Sequence, residues 1–161
     1  MTAVHGAPQA AAGSRDLAPM TLERIQESLT RLGYSYVRDE EHPDVLRARF
    51  DDYRFHFLLV GENRGVLQTR GRWSHSVDIS RKVEMLKLCN EWNMSRLWPK
   101  VYVRRESESV LSLYGEMSTD FFCGAVDRQI DRSISCGLST VISFFHEVEG
   151  RLGPELEPGD S

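Results

Sequence analysis

"CNEWNMSRLWPKVYV", residues 89–103, sets two tryptophans and two asparagines between a helical pattern and a strand pattern. Such a density of uncommon side chains marks either an active site or a structural joint. Upstream, residues from about Ile79 to Trp92 have helical character. Downstream, "KVYVRRE" and "VLSLYGEM" read as two strands joined by a polar turn around Ser107–Ser109. Asn90 lies four residues after Leu86 and seven after Val83, which places it on their apolar stripe, and Asn93 falls on the same side. A buried amide costs about 1–3 kcal/mol unless it is hydrogen-bonded. At the last turn of a helix the partners at hand are free carbonyls and the backbone of the next loop. Asn90 is therefore expected to be buried with its amide bonded to backbone, and Asn93 to suit the left-handed backbone that ends helices. Trp92 and Trp98 supply apolar area, while Pro99 should hold Trp98 extended and launch the strand. No nucleophile, acid or base stands in reach. The stretch is a joint.

Outward from the joint the pattern resolves into one domain. Residues 1–18 are small and polar and read as a disordered tail, residues 19–152 as the folded domain, and residues 153–161, "GPELEPGDS", as a second, acidic tail. Thr21 can cap a helix carrying Leu22, Ile25, Leu29 and Leu32 at helical spacing, with Gly33 as its stop. The period then changes: "YSYVRD", "DVLRARF", "YRFHFLLV" and "VLQTRGRW" are strand-like, with Asp51-Asp52 and the "GENRG" of 61–65 as turns. Last comes a long stripe, Val126, Ile130, Ile134, Leu138, Val141, Phe145, Val148 and Leu152, advancing by three or four residues. Gly137 interrupts it and predicts a kink or close packing. The expected fold is α+β: helix, antiparallel strands, helix, two strands, long C-terminal helix.

The joint also carries a family resemblance. "LCNEWNMSRLWPKVYV" entering a hairpin with "VLSLYGEM" resembles the YbjN domain family of bacteria, through an Asn-x-x-Asn helix end and an aromatic-Pro step. The matching residues are Asn90, Trp92, Asn93, Trp98, Pro99 and Tyr102, and the likeness covers roughly residues 19–152. It implies a fold like the type III secretion chaperones, which bind other proteins, and a regulatory role in sensory transduction. It implies no catalytic residues.

Composition narrows the function classes. The 161 residues are 40% hydrophobic and 27% charged, ordinary for a globular chain that needs no staple of disulfides or metal. A net charge of −4 argues against a surface that coats nucleic acid. Three cysteines (Cys89, Cys123, Cys136) without a CxxC pair fit a reducing compartment, and the absence of a signal-peptide pattern or a long apolar run makes cytoplasmic the expectation. The five histidines show no metal-ligand spacing, and no nucleophile elbow, dinucleotide or phosphate loop is present. No cofactor, metal or catalytic residue is expected, and the cysteines read as inert thiols.

One constellation survives. Strand alternation assigns Leu46, Ala48, Phe50, Phe55, Phe57, Leu59, Leu67 and Thr69 inward. The opposite face then shows Arg47, Arg49, Arg54, His56, Gln68, Arg70 and Arg72. With Val101, Val103, Leu111 and Leu113 inward, Tyr102, Arg104, Ser112 and Tyr114 join it. Such a face either keeps the sheet soluble through surface ion pairs or docks an acidic partner. The partner could be an acidic protein segment, a second copy of the chain, or, less in keeping with the net charge, single-stranded nucleic acid stacking on the tyrosines. Arginine in place of lysine suits bidentate capture of carboxylate or phosphate. The expectation is a non-enzymatic protein-binding module, with nucleic-acid binding as the alternative and a cysteine-dependent enzyme last.

Overall fold

Thr21 caps the first helix as its place before an apolar repeat requires, its hydroxyl accepting from the Arg24 amide at 3.2 Å. The computed structural model describes residues 17–153 and 157–158. It runs through α1 (Leu22–Arg31), β1 (Val37–Arg38), β2 (Val45–Phe50), β3 (Tyr53–Val60), β4 (Val66–Arg72) and β5 (His75–Asp78). After a 3-10 turn at Ile79–Arg81 come α2 (Lys82–Ser95), β6 (Lys100–Arg105), β7 (Val110–Asp120), α3 (Asp127–Leu152) and β8 (Glu157–Pro158). Among the described residues β1 to β7 form one antiparallel sheet, in the order β1-β2-β3-β4-β7, and the fold is α+β.

Both β4 and β5 pair with one edge of β7, and β6 pairs with the other. The Trp73 amide bonds to the Leu113 carbonyl at 3.0 Å in the gap between β4 and β5, so the two are a single strand bent at Trp73-Ser74. This is why β5 escaped the sequence reading: its four residues carry no alternation of their own. "YSYVRD" supplies only the two-residue β1, and β7 extends three residues past "VLSLYGEM".

The helices cover one face. Val141 of α3 sits above Gly71 and Gly115, which face each other across β4 and β7. A Cβ on Gly71 would stand 2.6 Å from Val141, so only a missing side chain lets the helix come this close. The Gly137 expectation resolves as close packing, because a Cβ there would meet Thr69 at 2.9 Å. Ile130, Ile134, Leu138, Val141, Phe145, Val148 and Leu152 are buried as expected, joined by Phe144. Val126 instead stands at the N-cap and is 39% exposed.

On α2 the buried side is Met85, Leu88, Cys89 and Trp92, the opposite of the expected stripe, and Val83, Leu86 and Asn90 face solvent. The helix is apolar on more than one side, so spacing alone does not choose. Trp92 chooses, by packing on Phe144 with ring centroids 5.1 Å apart. Burying this side places the large indole in the core and spares two amides desolvation.

The tail boundaries also shift. Ala18 pairs with Ala125, and its carbonyl accepts from Arg24, so the ordered chain takes in residues 17 and 18. Residues 1–16 lie outside the described residues, as do 154–156 and 159–161, while Glu157–Pro158 pairs with β5.

Candidate functional site

Every inward assignment on β2, β3 and β4 is met by a buried or half-buried side chain. The face opposite the helices therefore carries the arginines, and strand register sorts them into two cross-strand rows. The first runs Val37, Arg47, His56, Arg70, Glu116, Lys100. The second runs Arg49, Arg54, Arg72, Tyr114, Tyr102.

The first row is neutralised. Arg47 Nε lies 3.2 Å from the Asp39 carboxylate, and Arg70 Nε lies 3.4 Å from Glu116. Glu116 is buried, pairs with Lys100 and accepts from the Tyr102 hydroxyl at 3.0 Å. Burial works against its charge, but the Lys100 and Tyr102 hydrogen bonds outweigh this and hold its carboxyl below the usual range. Burial, reinforced by Arg70, pushes the His56 imidazole down, so that ring is neutral at pH 7.

The second row is not neutralised in the same way. Arg49 is exposed and pairs with no acid among the described residues, and Arg72 Nε stands 3.9 Å from Glu106. Arg49 faces Arg54, and Arg54 faces Arg72. Like charges placed directly opposite each other destabilise a sheet. These three arginines, with Arg47, His56, Ser35 and Val37, line a concavity of about 560 Å³ whose described lining residues include four arginines and no carboxylate.

The tyrosines have a different role from the one alternation suggested. Tyr102 and Tyr114 stack on each other, centroids 5.6 Å apart and planes 7° from parallel. Arg104 lies over the Tyr114 ring and Lys100 over that of Tyr102. Tyr114 is buried, and its hydroxyl donates to Glu106 at 2.7 Å. Burial, then Glu116, pushes the Tyr102 phenol up to about 12. The pair is a closed prop, not a platform left open for a base.

At the joint, one asparagine does the expected work. Asn93 Nδ2 donates to the Val101 carbonyl at 2.9 Å, and its Oδ1 accepts from the Val101 amide at 3.0 Å, tying α2 to the start of β6. It does so from within the helix, without a left-handed backbone. Asn90, expected to be buried, is exposed, and its amide reaches only the Met94 sulfur at 3.5 Å. Pro99 is buried and Trp98 is 46% exposed, across a cis peptide bond.

The reactive groups are dispersed. Cys89 is buried, and burial pushes its thiol up to about 12; Cys123 is exposed and Cys136 half-buried. Among the described residues no cluster of His, Cys, Asp and Glu could hold a metal ion, and no helix is long and apolar enough to cross a membrane. One polar cluster was missed. Glu149 Oε1 accepts from the Tyr53 hydroxyl at 2.9 Å and Trp73 Nε1 at 3.0 Å, with His75 Nδ1 3.7 Å away. The same His75 nitrogen contacts Ser74 Oγ at 3.0 Å, so no relay runs across the ring. Burial, followed by Glu149, pushes the Tyr53 phenol up. The signal was available: Glu149 stands four residues after Phe145, a carboxylate beside an apolar stripe.

The model of the YbjN family, described as "Putative bacterial sensory transduction regulator", matches residues 21–150. The chain belongs to the YbjN family. Its fold is similar to the crystal structure of YbjN from E. coli, described as "a putative transcription regulator". The two share 15% identity and a TM-score of 0.75, over 89% of this chain and 99% of that one. At this identity YbjN shares the fold, and its residues transfer no roles. A search of curated proteins finds no matching relative.

Proposed function

We propose that this YbjN-family chain is a non-enzymatic regulatory module that docks an acidic segment of a partner protein on the open face of its sheet. The observation that supports the reading is the concavity lined by Arg47, Arg49, Arg54 and Arg72, with no carboxylate among its described lining residues, in a chain of net charge −4. Charge complementarity of this kind sets partner choice and association rate. The family's description favours a regulatory role. The nucleic-acid alternative lacks its stacking platform, because Tyr102 and Tyr114 are spent on each other.

Capture of partners by the intact chain and by Arg49→Glu/Arg72→Glu, read by mass spectrometry, tests this. The expected result is loss of at least tenfold in the captured partner with the fold unchanged, since Arg49 is exposed and Arg72 only half-buried. Unchanged capture would sink the reading. A shift of short single-stranded oligonucleotides at micromolar protein, lost in the variant and falling steeply with salt, would put nucleic acid in the partner's place.

A further inference from the structure

We infer that the end of β7 is a strand-addition site. An extended segment of a partner protein pairs there with Ser118 and Asp120, and sets an acidic side chain, then an apolar one two residues later, into the groove beside α3. This surface is separate from the open face of the sheet and does not rest on the docking reading above.

β6 pairs with β7 only as far as Lys100 opposite Glu116, so residues 117–120 have β4 on one side and, among the described residues, no strand on the other. Burial changes at the same point: residues 111–117 are buried, while Ser118 and Asp120 are exposed. Antiparallel ladders direct the backbone groups of alternate residues to opposite neighbours. The Leu113 carbonyl accepts from the Trp73 amide and the Phe121 amide donates to the Gly65 carbonyl, so the odd-numbered residues of β7 face the β4 side. The N–H and C=O of Ser118 and Asp120 therefore point to the free edge, where no backbone group among the described residues meets them. Such an edge is a template for one more strand.

The groove beside the edge selects the segment. Its volume is about 660 Å³, and its lining includes Met117 and Thr119, Trp98, and Arg128, Arg132 and Cys136 of α3. The neighbouring acids of α3, Asp127 and Asp131, are taken by Arg24 and Arg31 of α1. Arg128 and Arg132 are left exposed, with no acid partner among the described residues. Asp120 does not answer them: it shares the open face with Ser118, and its carboxylate accepts from the Phe122 amide at 2.8 Å. Thr119 Oγ1 lies 2.7 Å from Ser133 Oγ, and Gly137 packs on Thr69, the partner of Met117. Arg132 thus stands level with Thr119, and Cys136 with Met117. A strand added antiparallel to β7 comes opposite Thr119 first and Met117 two residues later, with both of those side chains turned into the groove. An acid at the first place meets the two arginines, and an apolar side chain at the second meets Met117 and Trp98. The unpaired backbone groups of Ser118 and Asp120 ask for a peptide, which a small apolar acid does not supply.

Calorimetric titration of the full chain uses a capped peptide of threonines carrying one glutamate and, two residues later, one valine. It is expected to bind the wild type, and to bind Arg128→Glu/Arg132→Glu about tenfold more weakly, since both arginines are exposed and their reversal spares the fold. N-methylation of the threonine between glutamate and valine removes its bond to Ser118 and is expected to abolish binding. N-methylation of the glutamate, whose amide faces away from β7, is expected to leave binding intact, and this pair of probes needs no protein variant. Arg49→Glu/Arg72→Glu is expected to bind the peptide as the wild type does. No binding to the wild type, binding that survives the first N-methylation, or equal binding when glutamate and valine exchange places overturns the proposal. Octanoate binding more tightly than the peptide would give the groove to a small apolar acid. Self-association of the chain that Arg128→Glu/Arg132→Glu abolishes would give the edge to a second copy. Either result overturns the proposal, as does loss of peptide binding in Arg49→Glu/Arg72→Glu, which would put the peptide on the open face. Failure here leaves the docking reading standing, because that reading is tested through Arg49 and Arg72.

Discussion

Two rows of side chains cross the same strands of the open face, two residues apart, and they have opposite electrostatic designs. In the row through Arg47, His56 and Arg70, acids from outside or within the row meet the cations: Asp39 holds Arg47, and Glu116 holds Arg70 and Lys100. In the row through Arg49, Arg54 and Arg72, cation faces cation, and the acid within 4 Å of Arg72, Glu106, also accepts from Tyr114. The first row is a structural network whose charges are internally answered. The second sets arginine against arginine, and its Arg49 has no acid partner among the described residues. Alternation alone could not separate them, because it assigns all these arginines to one face.

The separation can be broken most sharply at Glu116. Glu116→Ala leaves the Tyr102 hydroxyl without its acceptor and Arg70 and Lys100 without their ion-pair partner on a buried part of the face, and should cost about 1–3 kcal/mol in urea or thermal unfolding. The loss should also depend on pH. The folded carboxyl lies below its ordinary value, so its contribution is complete above about pH 4.3 and disappears as pH falls through the lower folded value. A deficit that persists unchanged at pH 2 would mean that packing, not charge, explains Glu116. Reversing Arg70 is the wrong test of docking for the same reason: it would set a second carboxylate against Glu116 and damage the fold.

The other row should respond with the opposite sign. Arg49→Gln or Arg72→Gln removes one like-charge contact, and is expected to leave stability unchanged or raise it by about 0.2–1 kcal/mol. Destabilisation of more than 1 kcal/mol by Arg49→Gln would show that this row, too, is structural. The smallest effect is expected at His56. Its folded value is depressed, so the folded state loses stability as pH falls through the ordinary histidine value of about 6.5 towards the lower folded one. His56→Gln should flatten the decline in melting temperature between pH 7 and 5, and an identical slope in the variant would rule His56 out as its cause.

The two asparagines of the joint show where sequence reading reaches and where it stops. The helix-to-strand joint was legible, and so was the need for an amide bonded to the next strand. Which asparagine supplies it was not, because α2 offers two apolar sides and only the packing of Trp92 on Phe144 selects one. With that side buried, Asn93 points at Val101 and Asn90 at solvent.

By itself the sequence determined the α+β class, the family, the inward set of every long strand and the side of the sheet on which the arginines stand. The family rests on the resemblance carried by the Asn-x-x-Asn and Trp-Pro motif; the rest follows from local periodicity, which the covalent chain imposes on either face of a strand or helix. Only the tertiary structure decided that β5 continues β4, that Glu149 gathers Tyr53 and Trp73, that the tyrosines close on each other, and that Arg49, Arg54 and Arg72 share a concavity with no carboxylate among its described lining residues. Those facts depend on partners brought from distant parts of the chain, and on the register between strands. Neither is encoded in the spacing of any one segment.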